Sequence, residues 1–336
     1  MSLDKLPKQL RKVSDAALLK RIETSLEAVE EQLLKATSNA DPLVNAPSRH
    51  LVAAGGKRVR PTLVLLTAGL GDAKSPKVID AAVVVELTHL ATLYHDDVMD
   101  EAPTRRGVPT AQKIYGNSVA ILTGDLLFAR ASQIGLSLGT ETLKLQAETF
   151  ERLCLGQLHE TVGPTGAQDK ISHYIQVLAD KTGSLISTSA VMGITSSGAP
   201  TEYIEPVREY GEKIGVAFQL IDDVIDISEA GPSGKTPGTD LRAGVPTLPT
   251  LLLEKAAAAG DAEAQDLLKF IAGGLESDAD LNEALVGLRN HPVAEQAFEE
   301  AKRWADEAIA ALAPLPNNSI RAALEKFAEA VIDRQS

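Results

Sequence analysis

The chain has 336 residues, of which 44% are hydrophobic and 24% charged, with 46 acidic against 33 basic residues. The formal net charge of −13 argues against a protein that binds nucleic acid over its whole surface, because such a protein needs a basic face. The single cysteine, Cys154, excludes an internal disulfide and a cage of thiolates around a metal. We expect this thiol to be a buried small hydrophobic group in a protein of a reducing compartment.

The beginning of the sequence lacks the apolar stretch of a secretory signal. The longest apolar runs, such as 63–66, 81–85 and 308–313, are far shorter than a membrane span. We therefore expect a soluble, cytoplasmic protein.

Apolar residues recur every three to four positions along much of the chain, which predicts helices, whereas strand-like alternation is nearly absent. The first long helix carries Leu18, Ile22, Leu26, Val29 and Leu33 at this spacing. Residues 78–100 repeat it with apolar side chains on several faces, as in a helix buried inside a large helical protein. From residue 252 onward the sequence is rich in strong helix formers. We predict an all-α protein of ten or more helices in a single domain over 1–336.

Four stretches interrupt the helical pattern: 38–61, 101–109, 163–170 and 231–249. Their glycines and prolines mark loops. The last stretch has four prolines and four glycines in 19 residues. A loop of that length in a compact domain often covers a binding site.

Asp96, Asp97 and Asp100 end the helix predicted over 78–100. Asp96 and Asp100 are four residues apart, so both carboxylates project from one face. Like charges at this spacing destabilise the negative end of a helix by roughly 0.3 kcal/mol. A hard cation such as Mg²⁺ would reverse that penalty, because it binds carboxylate and phosphate oxygens. A solvated acidic helix end would explain a single cluster of this kind equally well.

Asp222, Asp223 and Asp226 repeat the pattern 126 residues later, again after an apolar helical run at 214–221. Two such clusters could face each other across one cavity and hold several Mg²⁺ ions. The ions would stabilise the charge that develops on a diphosphate leaving group. The second copy therefore favours a metal site over a solvated helix end.

Basic residues gather in the loops. Lys57 and Arg60 follow Gly55 and Gly56, which would let backbone N–H groups approach an anion. The other basic residues of the predicted loops and motifs include Arg105, Arg106, Lys181 and Lys235. Each alone would be an ordinary surface charge. Beside the aspartate clusters they predict a site for phosphate groups bridged by metal, since guanidinium and ammonium groups suit phosphate oxygens.

Six segments together resemble the trans-isoprenyl diphosphate synthases. In chain order they read GGKRVRP, HLATLYHDDVMDEAPTRRG, GDLLFARA, KTG, FQLIDDVID and GKTPGTDLRAGVPTLP. The resemblance covers about residues 55–249, whereas 250–336 match only in helical character. It implies the isoprenoid synthase fold, a single-domain helical bundle around a deep central cavity.

The resemblance also implies roles for individual residues. The principal Mg²⁺ ligands would be Asp96, Asp100 and Asp222, supported by Asp97, Asp223 and Asp226, with three ions per active site. The diphosphate of isopentenyl diphosphate would be held by Lys57, Arg60, His89 and Arg106. The allylic diphosphate would be held by Arg105, Lys181 and Lys235, with Thr182 and Gln219 near the reacting carbons. The residues expected to act in catalysis are Lys181, Arg105, Gln219 and Lys235.

Two histidines and one valine need separate interpretation. A lone histidine on a buried helix is more often a core residue, but the matching position favours a ligand role for His89. His95 before Asp96 also begins a pattern of HD hydrolases, but no other histidine has the matching spacing. Val245 stands where family members commonly carry a second lysine, so we expect weaker clamping of the allylic diphosphate without loss of activity.

The resemblance implies head-to-tail prenyl transfer by ionisation, condensation and elimination. The growing product would pass along the helix before Asp96, where Thr88, Ala91 and Thr92 form a stripe of small residues. Ala91 lies about 7.5 Å from Asp96 along the axis. An aromatic ring there would block the pocket, so we predict a long product of C30 to C50. Small residues for close helix packing would give the same stripe, and a C20 product stays open if Phe128 or Phe150 forms the floor.

Three alternatives compete with this interpretation. A class I terpene cyclase shares the first aspartate motif but normally lacks the second. A non-catalytic subunit of a heteromeric synthase would be expected to have eroded motifs, and a head-to-head synthase would have different spacing. The resemblance further implies a homodimer, and an apolar product suggests transient membrane contact for its release.

Overall fold

The structure, a computed structural model, describes residues 10, 13, 15–228 and 237–333. The α-helices assigned there are α1 (Ala16–Ala36), α2 (Pro42–Ala53), α3 (Val59–Thr67), α4 (Pro76–Met99), α5 (Ala111–Tyr115), α6 (Asn117–Leu138), α7 (Thr140–Val162), α8 (Lys170–Leu178), α9 (Ser184–Ser197), α10 (Ile204–Ile227), α11 (Thr239–Arg242), α12 (Leu248–Ala258), α13 (Ala262–Ala272), α14 (Asp278–Asn290), α15 (Val293–Ala311) and α16 (Ser319–Ile332). A π-helical turn, Ala179–Gly183, joins α8 to α9. The strands β1 (Thr104–Arg105) and β2 (Val108–Pro109) pair antiparallel. The predicted all-α fold is confirmed.

The predicted first helix is α1, and its ends follow from the sequence. The side chain of Asp15 accepts the backbone N–H of Leu18 at 2.9 Å, which caps the N-terminus. The five residues that gave the prediction are all buried. The periodicity of the sequence therefore identified the correct face.

The prediction of a loop over 38–61 is wrong, because α2 occupies half of it and α3 begins at Val59. Asp41 caps this helix by accepting the N–H of Leu43 at 2.9 Å, and Pro42 begins it, where a proline costs no hydrogen bond. Leu51 and Val52 bury its inner face. The prolines that suggested a loop include the one that starts the helix.

The described residues form two compact units. The first contains residues up to 151 together with 185–211 and 311–327. The second contains 152–184, 212–310 and the residues from 328 onward. The single domain over 1–336 stays a prediction.

In the first unit, α4 is the central helix and packs against α1, α3 and α6. Consecutive residues from Ala81 to Thr88 are buried on every side. This explains why the sequence showed apolar residues on several faces of α4. The chemistry of the first unit lies at the C-terminal end of this helix.

In the second unit, one core cluster surrounds the part of α10 that precedes the second aspartate cluster. Val216, Leu220 and Ile221 pack there with Leu178 of α8 and Leu248 of α12. The half-buried positions of this part of α10 are Phe218, Gln219, Asp222 and Ile225.

By length and composition, α4 and α6 would each be long enough to cross a membrane. The apolar window of α4 is 67% buried within the protein, as in a core helix, but that of α6 is only 33% buried.

The prediction that Cys154 is buried is wrong, because this residue is exposed. It lies on α7 beside the exposed Leu155, on the outer side of the helix.

Gly193 on α9 allows a close approach to α3 within the first unit. A Cβ at this position would lie 2.0 Å from Thr67 Oγ1 and 2.4 Å from Val64 O. We expect Gly193→Ala to lower the free energy of unfolding by about 3 kcal/mol, because a backbone carbonyl cannot move aside. Gly135→Ala is the control, since its Cβ would meet the ends of two flexible side chains, Gln146 and Leu143, and no backbone atom within 4 Å is among its three nearest neighbours. Urea unfolding measures both, and equal stabilities would contradict the expectation.

Candidate functional site

The first aspartate cluster occupies the last turn of α4. Asp96 is half-buried and Asp100, the C-cap, is exposed. Asp97 is buried, and its Oδ1 accepts Arg105 through Nε at 2.7 Å and Nη2 at 2.6 Å. Burial raises the pKa of Asp97 and the hydrogen bond from Arg105 opposes that shift. Asp97 therefore holds Arg105 in place, while Asp96 and Asp100 face accessible space.

The short hairpin β1–β2 positions the two arginines that follow this cluster. Arg106 and Gly107 form its turn with left-handed backbones, φ 54° and 77°. Gln112 Nε2 fastens the segment to α4 by donating to the carbonyl of Asp97 at 2.6 Å and that of Ala102 at 3.1 Å. The predicted loop over 101–109 is thus a fixed hairpin that carries Arg105 and Arg106.

Arg58, Arg60, Arg105 and Arg106 form what we call the arginine cluster. Glu86 of α4, 2% exposed, is its buried counter-charge: Oε1 accepts Arg58 Nη1 at 2.7 Å and lies 3.9 Å from Arg106 Nη2. Arg58 also pairs with Glu30 of α1. Four guanidinium groups are thereby set against Glu30, Glu86 and Asp97, which leaves the cluster suited to an anion.

The glycines before Lys57 make room for one of these arginines. Arg106 Nη1 donates to Leu51 O at 2.9 Å and to Gly55 O. A Cβ on Gly56 would lie 2.9 Å from Arg106 Cζ. Gly56 therefore accommodates the guanidinium, and Lys57 is exposed next to it.

His89 lies one turn after Glu86 on α4 and faces the arginine cluster. Burial lowers the pKa of His89 well below its ordinary value, and the charges of Arg60, Arg106 and Arg105 lower it further. Burial also lowers the pKa of Arg60 to about 10. At neutral pH the imidazole is therefore uncharged beside charged guanidinium groups, and it can donate one hydrogen bond to an anion. The structure thus brings together His89, Arg60 and Arg106, three of the four residues predicted to hold isopentenyl diphosphate, with Lys57 on the adjoining loop.

The small residues on α4 occupy the positions expected of a stripe. Ala91 and Thr88 are buried and Thr92 is half-buried. The hydroxyls of Thr88 and Thr92 bond within the helix, to Val84 O at 2.9 Å and His89 O at 2.8 Å. Neither hydroxyl therefore needs a partner on another helix.

Aromatic side chains lie around His95, which is about one helical turn from Ala91 toward the C-terminus of α4. His95 and Phe128 have ring centroids 5.8 Å apart, and Phe128 and Phe150 have centroids 4.3 Å apart. A Cβ on Gly124 would lie 2.3 Å from His95 Nε2, so α6 approaches α4 closely here. Tyr94 points elsewhere, since its hydroxyl donates to Pro47 O at 2.5 Å.

In the second unit, two facing glycines bring the π-helical turn against α10. A Cβ on Gly215 would lie 2.6 Å from Gly183 Cα. Gln219 follows Gly215 by one helical turn and therefore shares its face, which meets the turn that carries Lys181 and Thr182. The structure thus groups three predicted residues: Lys181, Thr182 and Gln219.

The π-helical turn is held by ion pairs. Lys181 Nζ pairs with Glu160 of α7. Asp180 accepts Arg152 Nε at 2.7 Å, and Arg152 Nη1 bonds Glu212 Oε2 at 2.7 Å. Local deviations from α-helical geometry of this kind occur frequently at functional sites.

The second aspartate cluster differs from the first, because two of its carboxylates bind backbone. Asp223 Oδ2 accepts Tyr174 Oη at 2.7 Å and the N–H of Leu248 at 3.0 Å. Asp226 accepts the N–H groups of Thr239 and Asp240, both at 3.2 Å. Burial raises the pKa of Asp223 to about 7 against the effect of its hydrogen bonds.

Asp222 is the half-buried member of this cluster. Lys235 lies outside the described residues, and Val245, the departure from the usual lysine, is exposed. Among the described residues of the second unit, the predicted site residues thus include the half-buried Asp222 and Lys181.

The carboxylates fit a metal that is completed by its substrate. Within 15–228 and 237–333, no three His, Cys, Asp or Glu side chains are arranged to hold an ion by themselves. Mg²⁺ usually binds only one or two carboxylates and takes phosphate and water oxygens for the rest. Asp97 Oδ2 is buried without a hydrogen-bond partner, as a carboxylate oxygen would be if a ligand normally satisfied it. The donor set is all oxygen, which suits Mg²⁺ or Ca²⁺.

Several residues that organise the site were not predicted from the sequence. Glu86 is a charged residue inside an apolar helix, which was a visible signal of a buried partner. Arg58 lay inside the quoted GGKRVRP segment. Tyr174 and Arg152 gave no signal, since their partners are distant in the sequence.

Comparison with known proteins agrees with the site. Residues 41–287 match the family described as Polyprenyl synthetase. The chain is 40% identical to nonaprenyl diphosphate synthase of Mycobacterium tuberculosis over 324 residues, 96% of each chain.

Among solved structures, the chain superposes on geranylgeranyl pyrophosphate synthase from Corynebacterium glutamicum, complexed with calcium and isoprenyl diphosphate. The TM-score is 0.86 and the sequence identity is 41%, over 96% of this chain and 99% of that one. It superposes on decaprenyl diphosphate synthase from Rhodobacter capsulatus with a TM-score of 0.84 and 32% identity, over 95% and 98%. The predicted family resemblance and the enzyme class, a prenyltransferase, are confirmed. The chain belongs to the polyprenyl synthetase family.

Proposed function

We propose that the protein adds isopentenyl diphosphate head to tail onto an allylic diphosphate and makes an all-trans polyprenyl diphosphate of C30 to C50. The observation that carries this proposal is the arginine cluster around an uncharged His89, next to the carboxylates of Asp96 and Asp100 on α4. Cationic groups for one diphosphate and oxygen ligands for a metal thus lie around the C-terminal half of the same helix, α4. The family uses isopentenyl diphosphate and an allylic diphosphate as substrates.

The arginine cluster is assigned to isopentenyl diphosphate. Lys57, Arg60, His89 and Arg106 hold its diphosphate, and the buried Glu86 keeps the guanidinium groups oriented. Because His89 is uncharged, it orients the anion by hydrogen bonding and the arginines supply the attraction. This substrate keeps its diphosphate during the reaction, so tight fixed contacts suit it.

The aspartates are assigned to Mg²⁺, with three ions per active site. Asp96, Asp100 and Asp222 are the principal ligands, and Asp97, Asp223 and Asp226 support them. When bound, the metal stabilises the negative charge on the allylic diphosphate as it leaves. The calcium in the Corynebacterium glutamicum structure is consistent with a divalent metal in this family.

Arg105, Lys181 and Lys235 are assigned to the allylic diphosphate. Asp97 fixes Arg105 through two short contacts, and Glu160 pairs with Lys181, so both cations are oriented before substrate arrives. Thr182 and Gln219 lie near the reacting carbons. Departure of the diphosphate leaves an allylic cation, and the double bond of isopentenyl diphosphate attacks this cation. The condensed cation then loses a proton to form the new double bond, and the released diphosphate accepts that proton.

The length of the product is assigned to the stripe of small residues on α4. We expect Ala91→Tyr to shorten the main product below C30 while turnover stays within about tenfold, because the ring fills the space beside Ala91 and leaves the cationic residues in place. Leu93→Tyr is the control, since Leu93 is half-buried on the same helix and lies off the stripe. Mass spectrometry of the products measures both variants. An unchanged distribution in Ala91→Tyr would show that the product does not pass this residue.

A second candidate product is geranylgeranyl diphosphate, C20. The ring contact between Phe128 and Phe150, 4.3 Å between centroids, supports it, because these rings lie beside His95 and offer a floor that does not depend on Ala91. The relatives include synthases of both product lengths: the chain is 40% identical to a nonaprenyl diphosphate synthase and 41% identical to a geranylgeranyl pyrophosphate synthase. Phe128→Ala lengthens the product if this floor exists and leaves it unchanged if it does not.

The protein is further proposed to be a cytoplasmic homodimer that contacts membranes only while releasing product. The exposed apolar residues of α6, Ile121, Leu122 and Leu136, support a self-association surface. We expect Leu122→Asp to convert the dimer to a monomer in light scattering at micromolar concentration, because it places a charge in an apolar interface. Asp125→Lys, at an exposed polar position of the same helix, is the control. A monomeric wild-type protein would contradict the dimer.

The proposed reaction is distinguished from terpene cyclisation by its need for two substrates. Purified protein is incubated with Mg²⁺ and farnesyl diphosphate, with and without isopentenyl diphosphate, and released diphosphate is measured. Release only with both substrates supports the proposal. Release of diphosphate and a cyclic hydrocarbon from farnesyl diphosphate alone would refute it in favour of a cyclase.

A further inference from the structure

The two buried carboxylates of the second aspartate cluster each bind the backbone of a segment that follows α10. Asp226, 8% exposed, places Oδ1 on the N–H of Thr239 and Oδ2 on the N–H of Asp240, both at 3.2 Å. Its own carbonyl accepts the N–H of Gly238 at 2.7 Å. One residue of α10 thus makes three hydrogen bonds to the chain that enters α11.

Asp223 makes the corresponding contact with α12. Its Oδ2 accepts the N–H of Leu248, the first residue of that helix, at 3.0 Å, and Tyr174 Oη donates to the same oxygen at 2.7 Å. An N–H at the positive end of a helix is a good partner for a carboxylate. Tyr174 of α8 and Leu248 therefore hold Asp223 from two sides.

Because of these contacts, the three carboxylates of the cluster have different surroundings. Three carboxylates near the negative end of α10 would repel one another and destabilise the last turns of the helix. Two of them are satisfied by N–H and O–H donors of the protein, and both are buried. Asp222 is half-buried, and its Oδ1 is enclosed by the protein.

We propose that Asp223 and Asp226, together with Tyr174, are positioning residues that fasten α11 and the start of α12 to α10. The inference rests on the proposed function for the assignment of Asp222 to the divalent cation. It assigns Tyr174 a role in the reaction: it fixes the α10 turn that carries Asp222. It also says how Asp223 and Asp226 support Asp222, namely through hydrogen bonds to the backbone of the following segments.

Amide hydrogen exchange of the full chain tests the fastening contacts without metal or substrate. In Asp226→Asn we expect the amides of 237–243 to exchange about tenfold faster, because the carboxamide offers one acceptor oxygen where the carboxylate offers two. Asp222→Asn is the matched control, since Asp222 lies four residues before Asp226 on the same helix. We expect this variant to leave the exchange of 237–243 unchanged. This readout does not depend on catalysis, so it is valid whether or not the protein elongates prenyl chains.

A titration with Mg²⁺ and inorganic pyrophosphate, followed by calorimetry, tests the division of roles. We expect Asp222→Asn to weaken binding at least about tenfold, and Asp226→Asn to change it by less than about threefold. If Asp226→Asn weakens Mg²⁺ binding as much as Asp222→Asn and leaves the exchange of 237–243 unchanged, Asp226 is a metal ligand and the proposal is wrong.

Tyr174→Phe keeps the ring and removes only the hydroxyl, so it tests the proposal with little risk of unfolding. We expect faster exchange at the start of α12 and a roughly fivefold lower kcat, with the Mg²⁺ concentration for half-maximal rate unchanged. A merely structural tyrosine would lower the melting temperature and leave kcat at 25 °C unchanged. That result would overturn the positioning role.

Discussion

Replacement of Asp96 by asparagine is expected to lower kcat/KM for chain elongation by about 10³-fold or more, because the variant loses a metal ligand at the leaving group. Asp96 is half-buried at the end of α4, one turn before the exposed Asp100. The substitution keeps the volume of the side chain and removes one negative charge from an acidic helix end. The fold should therefore be as stable as before, or slightly more so.

The assay follows incorporation of labelled isopentenyl diphosphate at saturating Mg²⁺. Asp125→Asn is the control, since Asp125 is an exposed carboxylate of α6 that lies 3.4 Å from His95, the neighbour of Asp96. We expect the control to retain activity within about threefold. An Asp96→Asn enzyme with near-normal kcat/KM would contradict the assignment of the first aspartate cluster to the metal.

Replacement of Glu86 by alanine is expected to lower the free energy of unfolding by about 3 kcal/mol, because it removes the buried counter-charge between Arg58 and Arg106 and leaves Glu30 as the acidic partner of Arg58. Glu86 is 2% exposed and bonds Arg58 Nη1 at 2.7 Å. Arg106 Nη2 lies 3.9 Å away. The remaining charges repel one another in a site from which water is largely excluded.

Urea unfolding measures the loss, with Glu325→Ala as the control. Glu325 pairs with Arg321 at 2.9 Å on the surface, so its removal should cost less than about 1 kcal/mol. Inorganic pyrophosphate should stabilise Glu86→Ala more than the wild-type protein, because the anion replaces the missing negative charge. Equal losses in the two variants would show that Glu86 is not the counter-charge of the arginine cluster.

The sequence predicted elements whose signal is local. The periodicity of α1 and α4 identified their buried residues, because an apolar side chain every three to four positions reports one helix face directly. The prediction failed for α2, where Pro42 and Pro47 suggested a loop over 38–61. There the cap formed by Asp41 and the burial of the inner face outweigh the prolines.

The predicted site residues were found by motif, but their partners are distant in the sequence. Arg58 and Glu86 are separated by 28 residues, and Tyr174 and Asp223 by 49. No periodicity reports such a pair. Cys154 was predicted to be buried on the general behaviour of cysteine, and its exposure depends on which face of α7 packs inward.

The aspartate clusters illustrate the same limit. Both read alike in the sequence, yet in the first cluster Asp97 binds an arginine, and in the second Asp223 and Asp226 bind backbone N–H groups. Which carboxylates are accessible depends on the packing of later segments. The resemblance had already set Asp222 apart from its neighbours, and the structure adds the contacts that Asp223 and Asp226 make.

The product of the purified protein tests the central claim most directly. The protein is incubated with Mg²⁺, isopentenyl diphosphate and farnesyl diphosphate, and the products are sized by mass spectrometry. The account predicts polyprenyl diphosphates of C30 to C50, extended one isopentenyl unit at a time. Failure to elongate farnesyl diphosphate at all would contradict the assignment of the site to prenyl transfer, and a product that stops at C20 would contradict the long pocket along α4.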